Sequence, residues 1–239
     1  MVSFDPSDVS FLQKGKGKDL VFFHGYLSSK EAFTAQIDYF SKFFKVTAFD
    51  FLGFGKSEPL KEPFSVSDYA DWTAQLFRFL GLSCPFVIAH SFGCRVAVKM
   101  AKSSGQVFDK MLLTGAAGIV LNHGSAYKIK VGAYRAVKRI FPAFADAHFG
   151  SEEYRSLSPL MKESYKKIVN EDLREDAKLV QNQVLIAQGT KDRTTTFKEA
   201  EIYLKSFPNA RVKMLSGGHF SFAEHPLEFN LLAEEFFYG

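Results

Sequence analysis

The chain has 239 residues, 46% of them apolar and 15% aromatic, enough to bury a full core without disulfides or a structural metal. Its 30 Lys and Arg against 26 Asp and Glu leave a formal charge of +4, too small and too interspersed for a nucleic-acid coat. Met1 to Pro6 carry neither a basic nor an apolar leader pattern, and no apolar run approaches a membrane span, so a soluble cytoplasmic protein is expected.

Short apolar runs predict strands at Leu20–Phe23, Lys45–Phe49, Phe86–Ala89, Met111–Leu113, Val184–Ala187 and Val212–Leu215. Most are too continuously apolar to have a wet face, which predicts a mostly parallel α/β sheet flanked by helices. Between them, Lys30 to Phe43 sets Phe33, Ile37, Phe40 and Phe44 three or four apart. Val66 to Leu80 does the same with Tyr69, Thr73, Leu76 and Leu80, with Ser65 or Ser67 as N-cap and Gly81 following. Further helices are expected over Arg95 to Ala101 and Leu227 to Phe237. From Gly118 to Val180 the strand rhythm lapses while helical patterns continue. The expected organisation is therefore a core over 1–117 and 181–239 interrupted by a helical insertion over 118–180, with no repeat or flexible linker. Cys84 and Cys94 lack zinc-type spacing and are expected to be reduced thiols.

Ala89-His90-Ser91-Phe92-Gly93 stands between a predicted strand and a predicted helix. Small residues around a serine in that context suit a sharp turn that exposes the hydroxyl, although the usual first glycine is Ala89 here. In a parallel α/β sheet, ligands bind at the carboxyl ends of the strands. Three further motifs end strands: His24-Gly25-Tyr26, Gln188 to Asp192, and Ser216-Gly217-Gly218-His219. Serine needs a neutral imidazole to take its proton and a carboxylate to hold the other ring N–H. Ser91, Asp192 and His219 supply these groups in the nucleophile, acid, base order. The backbone N–H groups of Tyr26 and Phe92 are the expected oxyanion donors, fixed before charge develops.

Each residue also has a plainer role open to it. Asp192 suits a turn and His219 a surface histidine, while His24 suits a histidine that pins its loop. His90 flanks the nucleophile and is expected to line the pocket. Asp50 opens a glycine-rich loop ahead of the serine, and that loop is too short for a phosphate cradle. His225 precedes Pro226 and is expected to cap the last helix. No His/Asp/Glu cluster suggests a metal, and no cofactor is expected.

These motifs together make the sequence resemble an α/β-hydrolase of the group that includes carboxylesterases, carbon–carbon bond hydrolases and pimeloyl-carrier-protein methyl esterases. The resemblance rests on His24-Gly25, the Asp50 to Ser57 loop, the Ser91 turn, Gly189 to Asp192, and the tail from His219 to Pro226. It implies a helical cap inserted after the sixth strand, with the first strand absent or very short. Serine at the nucleophile position separates it from haloalkane dehalogenases and epoxide hydrolases, which resemble it but use aspartate there. The lack of an acid in Thr114 to Ala117 favours Asp192 as the triad acid.

Within the insertion, Lys128, Lys130, Arg135, Lys138 and Arg139 come without any acidic neighbour between Asn122 and Phe141. At helical spacing, Tyr127, Val131, Tyr134, Val137 and Phe141 form an adjoining apolar face, and Tyr127 and Tyr134 with His90 are the expected substrate contacts. Lys128, Arg135, Lys138 and Arg139 form one stripe, which is either a solvated helix edge or, as the resemblance implies, a docking face for an acidic acyl-carrier protein or an anionic acyl substrate. The expected function is hydrolysis of a small carboxylic ester through an acyl-enzyme. Carbon–carbon bond hydrolysis, carrier-protein methyl ester cleavage and a non-catalytic ligand receptor on the same fold stay open.

Overall fold

The computed structural model describes residues 2–103, 106–121 and 156–239. The described strands are β1 (Phe11–Lys14), β2 (Asp19–Phe23), β3 (Lys45–Phe49), β4 (Phe86–His90), β5 (Lys110–Thr114), β6 (Gln183–Gly189) and β7 (Ala210–Leu215). They form one sheet in the order β1-β3-β2-β4-β5-β6-β7, parallel throughout except for the antiparallel pairing of β1 with β3. β2 and β4 register Phe23 against Ala89, and β4 and β5 register His90 against Thr114. That alignment brings the carboxyl ends of β2, β4 and β5 level with one another.

Strand alternation explains why the central runs are apolar at every position. Val21, Phe23, Val87, Ala89, Met111 and Leu113 enter one core cluster, while Leu20, Phe22, Phe86, Ile88 and Leu112 enter another. The first cluster is closed by α2 (Val66–Leu80) and α3 (Phe92–Ser103), through residues such as Trp72, Leu76, Val96 and Met100. The second is closed by α1 (Thr34–Phe40) and the C-terminal helix Pro226–Tyr238, through Ile37, Phe40, Phe229 and Phe236. The 27 phenylalanines supply much of both layers, as in the contact of Phe33 with Phe222 at 4.6 Å between ring centres. For α2 the cap is Ser65, which exchanges hydrogen bonds with Asp68.

β1 lies outside the predicted strands. It is short, mostly exposed and defined only by its partner β3. With the family's first strand expected to be absent or very short, β5 is the sixth strand in the family's count, and the segment expected after that strand follows it. Ahead of Phe11 the described residues hold a single 3-10 turn, Pro6–Asp8, and no strand to be counted first. Described residues of 118–180 include α4 (Pro159–Asn170) and α5 (Arg174–Ala177) and no strand. Tyr127, Tyr134 and the basic residues Lys128, Lys130, Arg135, Lys138 and Arg139 lie outside the described residues.

Hydrogen bonds hold α4 against the core. Ser164 Oγ donates to Phe64 O at 2.6 Å, and Tyr26 Oη donates to Met161 O at 3.1 Å. The helix therefore stands over the carboxyl end of β2.

After β6 comes α6 (Phe197–Ser206), which was not among the expected helices. Thr196 and Glu199 exchange hydrogen bonds at its N-terminus. Beyond β7, a short helix α7 (Ser221–Glu224) leads into α8 (Pro226–Tyr238).

Candidate functional site

Ser91 follows the last residue of β4 with φ at 50°, a left-handed conformation that a residue with a Cβ adopts only under constraint. The constraint comes from both sides: Ser91 N–H donates to Thr114 O at 3.1 Å, and Cys94 N–H donates to Ser91 O at 3.0 Å. Gly93 makes the turn sterically possible, because a Cβ there would lie 2.5 Å from Phe23 O and 2.8 Å from His24 O. Ala89, in place of the usual glycine, is fully buried in register with Phe23 and Leu113, and the turn forms around it. The loop after β2 rests on this turn. A Cβ on Gly25 would approach His90 Nδ1 to 2.8 Å and Ser91 Cβ to 3.5 Å.

Asp192 and His219 come from the loops after β6 and β7. Asp192 Oδ2 accepts the His219 Nδ1 hydrogen at 2.9 Å and the Thr195 hydroxyl at 2.8 Å. Its Oδ1 accepts the backbone N–H groups of Thr194 at 2.8 Å and Thr195 at 3.0 Å. Asp192 is thus both the turn-former and the histidine's partner, the two roles left open above. Burial pushes its carboxyl upward, but the bonds from His219 and Thr195 together outweigh that and hold it below the ordinary range. The imidazole of His219 sits against Gly115, where a Cβ would come within 3.0 Å of both Cε1 and Nδ1.

Two further histidines are fixed around this pair. His24 Nδ1–H donates to Gly25 O at 2.7 Å and its Nε2 accepts from Phe51 N–H at 3.0 Å. Burial drops its pKa to about 4, so a neutral ring pins the loop that carries Tyr26. His90 Nε2–H donates to the backbone carbonyl of His219 at 3.0 Å, and burial lowers its pKa to about 3.

A cavity of about 420 Å³ opens at this edge of the sheet. Ser91, His219, Tyr26, Phe92 and His90 line it together with Ile119, Leu157, Tyr165 and Ile168. No hydrogen bond joins Ser91 Oγ to His219 Nε2 among the described residues. Both residues line the same cavity.

A sequence pattern shared across the α/β-hydrolase family matches residues 20–230, from the first buried strand into the last helix. The chain belongs to the α/β-hydrolase family.

Relatives of this chain include (E)-2-((N-methylformamido)methylene)succinate hydrolase of Acinetobacter baylyi, 28% identical over 59% of this chain and 51% of that protein. Another is 2-(acetamidomethylene)succinate hydrolase of Mesorhizobium japonicum, 34% identical over 37% of this chain and 32% of that protein. The matched stretch of this chain spans about half the length of the first of these, and less of the second. Among solved structures, an esterase from Exiguobacterium antarcticum superposes with a TM-score of 0.79 at 20% identity, covering 97% of this chain and 96% of that one. The meta-cleavage product hydrolase CumD of Pseudomonas fluorescens gives 0.74 at 21%, covering 96% and 93%. At those identities the likeness is one of fold.

The other sequence candidates go elsewhere in the fold. Asp50 is fully buried in an ion pair with Lys30 Nζ at 2.7 Å and also accepts the backbone N–H groups of Lys30 and Lys56, which closes its glycine-rich loop. His225 takes the N-cap position of α8 without a side-chain cap bond, and does not line the cavity. Thr195, Gly115 and Arg95 are site residues that the sequence reading missed. The spacing of Asp192 to Thr194 and Thr195 is an aspartate-turn pattern and could have exposed Thr195. Nothing local marks the other two. Among the described residues, no group of three or more His, Cys, Asp or Glu could hold a metal, and no helix is long and apolar enough to cross a membrane.

Proposed function

We propose that this hydrolase is a serine esterase that cleaves a small carboxylic ester through an acyl-enzyme. The observation that carries the reading is the bonded Asp192–His219 pair facing the cavity into which the strained Ser91 turn opens. In the first half-reaction, His219 Nε2 takes the Ser91 Oγ proton as the oxygen attacks the ester carbonyl. Asp192 keeps the Nδ1 hydrogen in place and stabilises the imidazolium. The backbone N–H groups of Tyr26 and Phe92 receive the oxyanion. His219 then returns the proton to the departing alkoxide, leaving the acyl group on Ser91 and releasing an alcohol. In the second half, water replaces the alcohol, His219 takes its proton, and the acid leaves as Ser91 recovers its hydrogen.

A mostly apolar cavity of this size suits a small organic substrate. The esterase among the structural neighbours and the hydrolases among the relatives support the same reading. The test is a panel of p-nitrophenyl esters from two to twelve carbons, run on wild type and Ser91→Ala, with a fluorophosphonate label as an independent probe of the nucleophile. Turnover and labelling that depend on Ser91 are expected. Labelling without turnover of any ester would instead favour a ligand receptor on this fold.

A further inference from the structure

Arg95 is the one Lys or Arg among the described residues that line the cavity. It lies four residues beyond Ser91, on the first turn of α3, and is 7% exposed while lining the same space as the serine. Its Nη1 donates to Ile168 O and Glu171 O, each at 2.8 Å, at the C-terminal end of α4. Carbonyl oxygens there satisfy hydrogens but carry no full charge.

No carboxylate among the described residues pairs with Arg95, although several stand nearby. Glu171 is bonded to Lys99, Asp176 lies between Lys99 and Lys102, and Asp172 is held by Arg174. Each of those acids is committed to another cation, and among the described residues around them Arg95 is left without a carboxylate. The one carboxylate among the described residues of the cavity wall, Glu199, accepts the N–H and hydroxyl of Thr196 at the start of α6. With Nη1 used, the donors of Arg95 without a partner among the described residues are Nε and Nη2. Those two present parallel hydrogens along one edge of the guanidinium, the arrangement that receives a carboxylate in two bonds.

We propose that Arg95 makes this cavity selective for esters that carry a free carboxylate, the substrate class being the monoester of a dicarboxylic acid. This rests on the serine-esterase reading above. The carboxylate end of the substrate would bond to the Nε and Nη2 edge, directing the ester end toward Ser91. A fixed cation favours the anionic substrate over its neutral isostere because a neutral group leaves buried donors unpaired.

The experiment compares monomethyl adipate with methyl hexanoate, which replaces the terminal carboxylate by a methyl group. Acid release is followed by pH-stat in wild type, Arg95→Met and Arg95→Lys. Wild type should favour the adipate ester by at least about tenfold in kcat/KM, and Arg95→Met should reduce that ratio at least about tenfold. Arg95→Lys keeps the charge but loses the fork, and should fall between them. A ratio near one in wild type, or one that Arg95→Met leaves unmoved, overturns the proposal and returns Arg95 to capping α4 alone. Because Arg95→Met removes that cap, a poorly folded variant leaves the wild-type ratio and the Arg95→Lys comparison as the deciding measurements. Calorimetry of adipate against hexanoate on Ser91→Ala separates the two readings: adipate binding without turnover of either ester in wild type supports the anion site and sinks the esterase. Turnover of both esters with equal binding of the two acids does the reverse.

Discussion

Asp192 and His219 lie 27 residues apart in sequence, and their side chains meet at 2.9 Å because β6 and β7 run parallel and side by side. The Asp192 oxygen that receives the imidazole hydrogen also receives the Thr195 hydroxyl. Three donors besides His219 thus aim the carboxylate before the histidine arrives. Asp192→Asn should lower kcat by about 10²- to 10⁴-fold, since the amide cannot stabilise the imidazolium. Thr195→Val, which loses one of the two hydrogen bonds that fix Oδ2, should cost about three- to tenfold. Ester hydrolysis and circular dichroism on both variants check this, and an unaffected Asp192→Asn would remove Asp192 from the mechanism.

Ser91→Ala should lose at least about 10³-fold in kcat while keeping the fold. Ser91→Gly should be equally inactive and yet about 1 kcal/mol more stable than wild type. Glycine relieves the strain of a positive φ, and its greater freedom in the unfolded chain offsets only part of that gain. Urea midpoints of the two variants measure the difference. A glycine variant less stable than the alanine variant would show that the turn is unstrained.

Gly115 has φ at 53° and no room for a side chain on the His219 face. Gly115→Ala should push the imidazole away from Asp192, lowering kcat at least about tenfold, with about 1–2 kcal/mol of destabilisation from the backbone. The activity loss should exceed what the change in folded fraction explains at the assay temperature. An active Gly115→Ala would mean that His219 moves freely.

The two histidines that bracket the site should be unequal in effect. His219→Ala should be as severe as Ser91→Ala, because the hydroxyl then has no base. His225→Ala should keep most activity, since His225 lies at the start of α8 and outside the cavity. Steady-state rates on an activated ester test the pair, and a dead His225→Ala would reverse the assignment.

The buried neutral histidines make stability fall in acid. His24 and His90 titrate near 6.5 in the unfolded chain but at about 4 and about 3 in the fold. Their contribution is complete above pH 6.5 and is lost as pH falls toward those values, because the unfolded chain takes up protons that the folded rings refuse. Each adds a slope of about 1.4 kcal/mol per pH unit across that window. His90→Gln keeps a donor toward His219 O and should flatten the curve by one such slope. Urea midpoints between pH 7.5 and pH 4.5 give the comparison, and equal slopes would contradict a neutral buried His90.

Much of this protein was legible from its residues in order. The apolar runs placed six of the seven described strands, all but the exposed edge strand β1. The residues around Ser91, Asp192 and His219 identified the strand ends that carry the candidate triad. These features are local, since strand burial, helix spacing and turn chemistry are each written within about ten residues. The capping pair Thr196 and Glu199 was equally local, and α6 could have been read from it.

What remained depended on which surfaces meet. β1 is a strand only because β3 offers it an edge. Gly115 matters because the loop after β7 lays His219 on it. Arg95 follows Ser91 on a helix whose sequence gives no sign of which face looks into the cavity. It becomes a buried cation only when the end of α4 covers it and the neighbouring carboxylates turn to other partners. Burial and charge balance are properties of the assembled neighbourhood, set by packing between segments some seventy residues apart, and no window of sequence contains them.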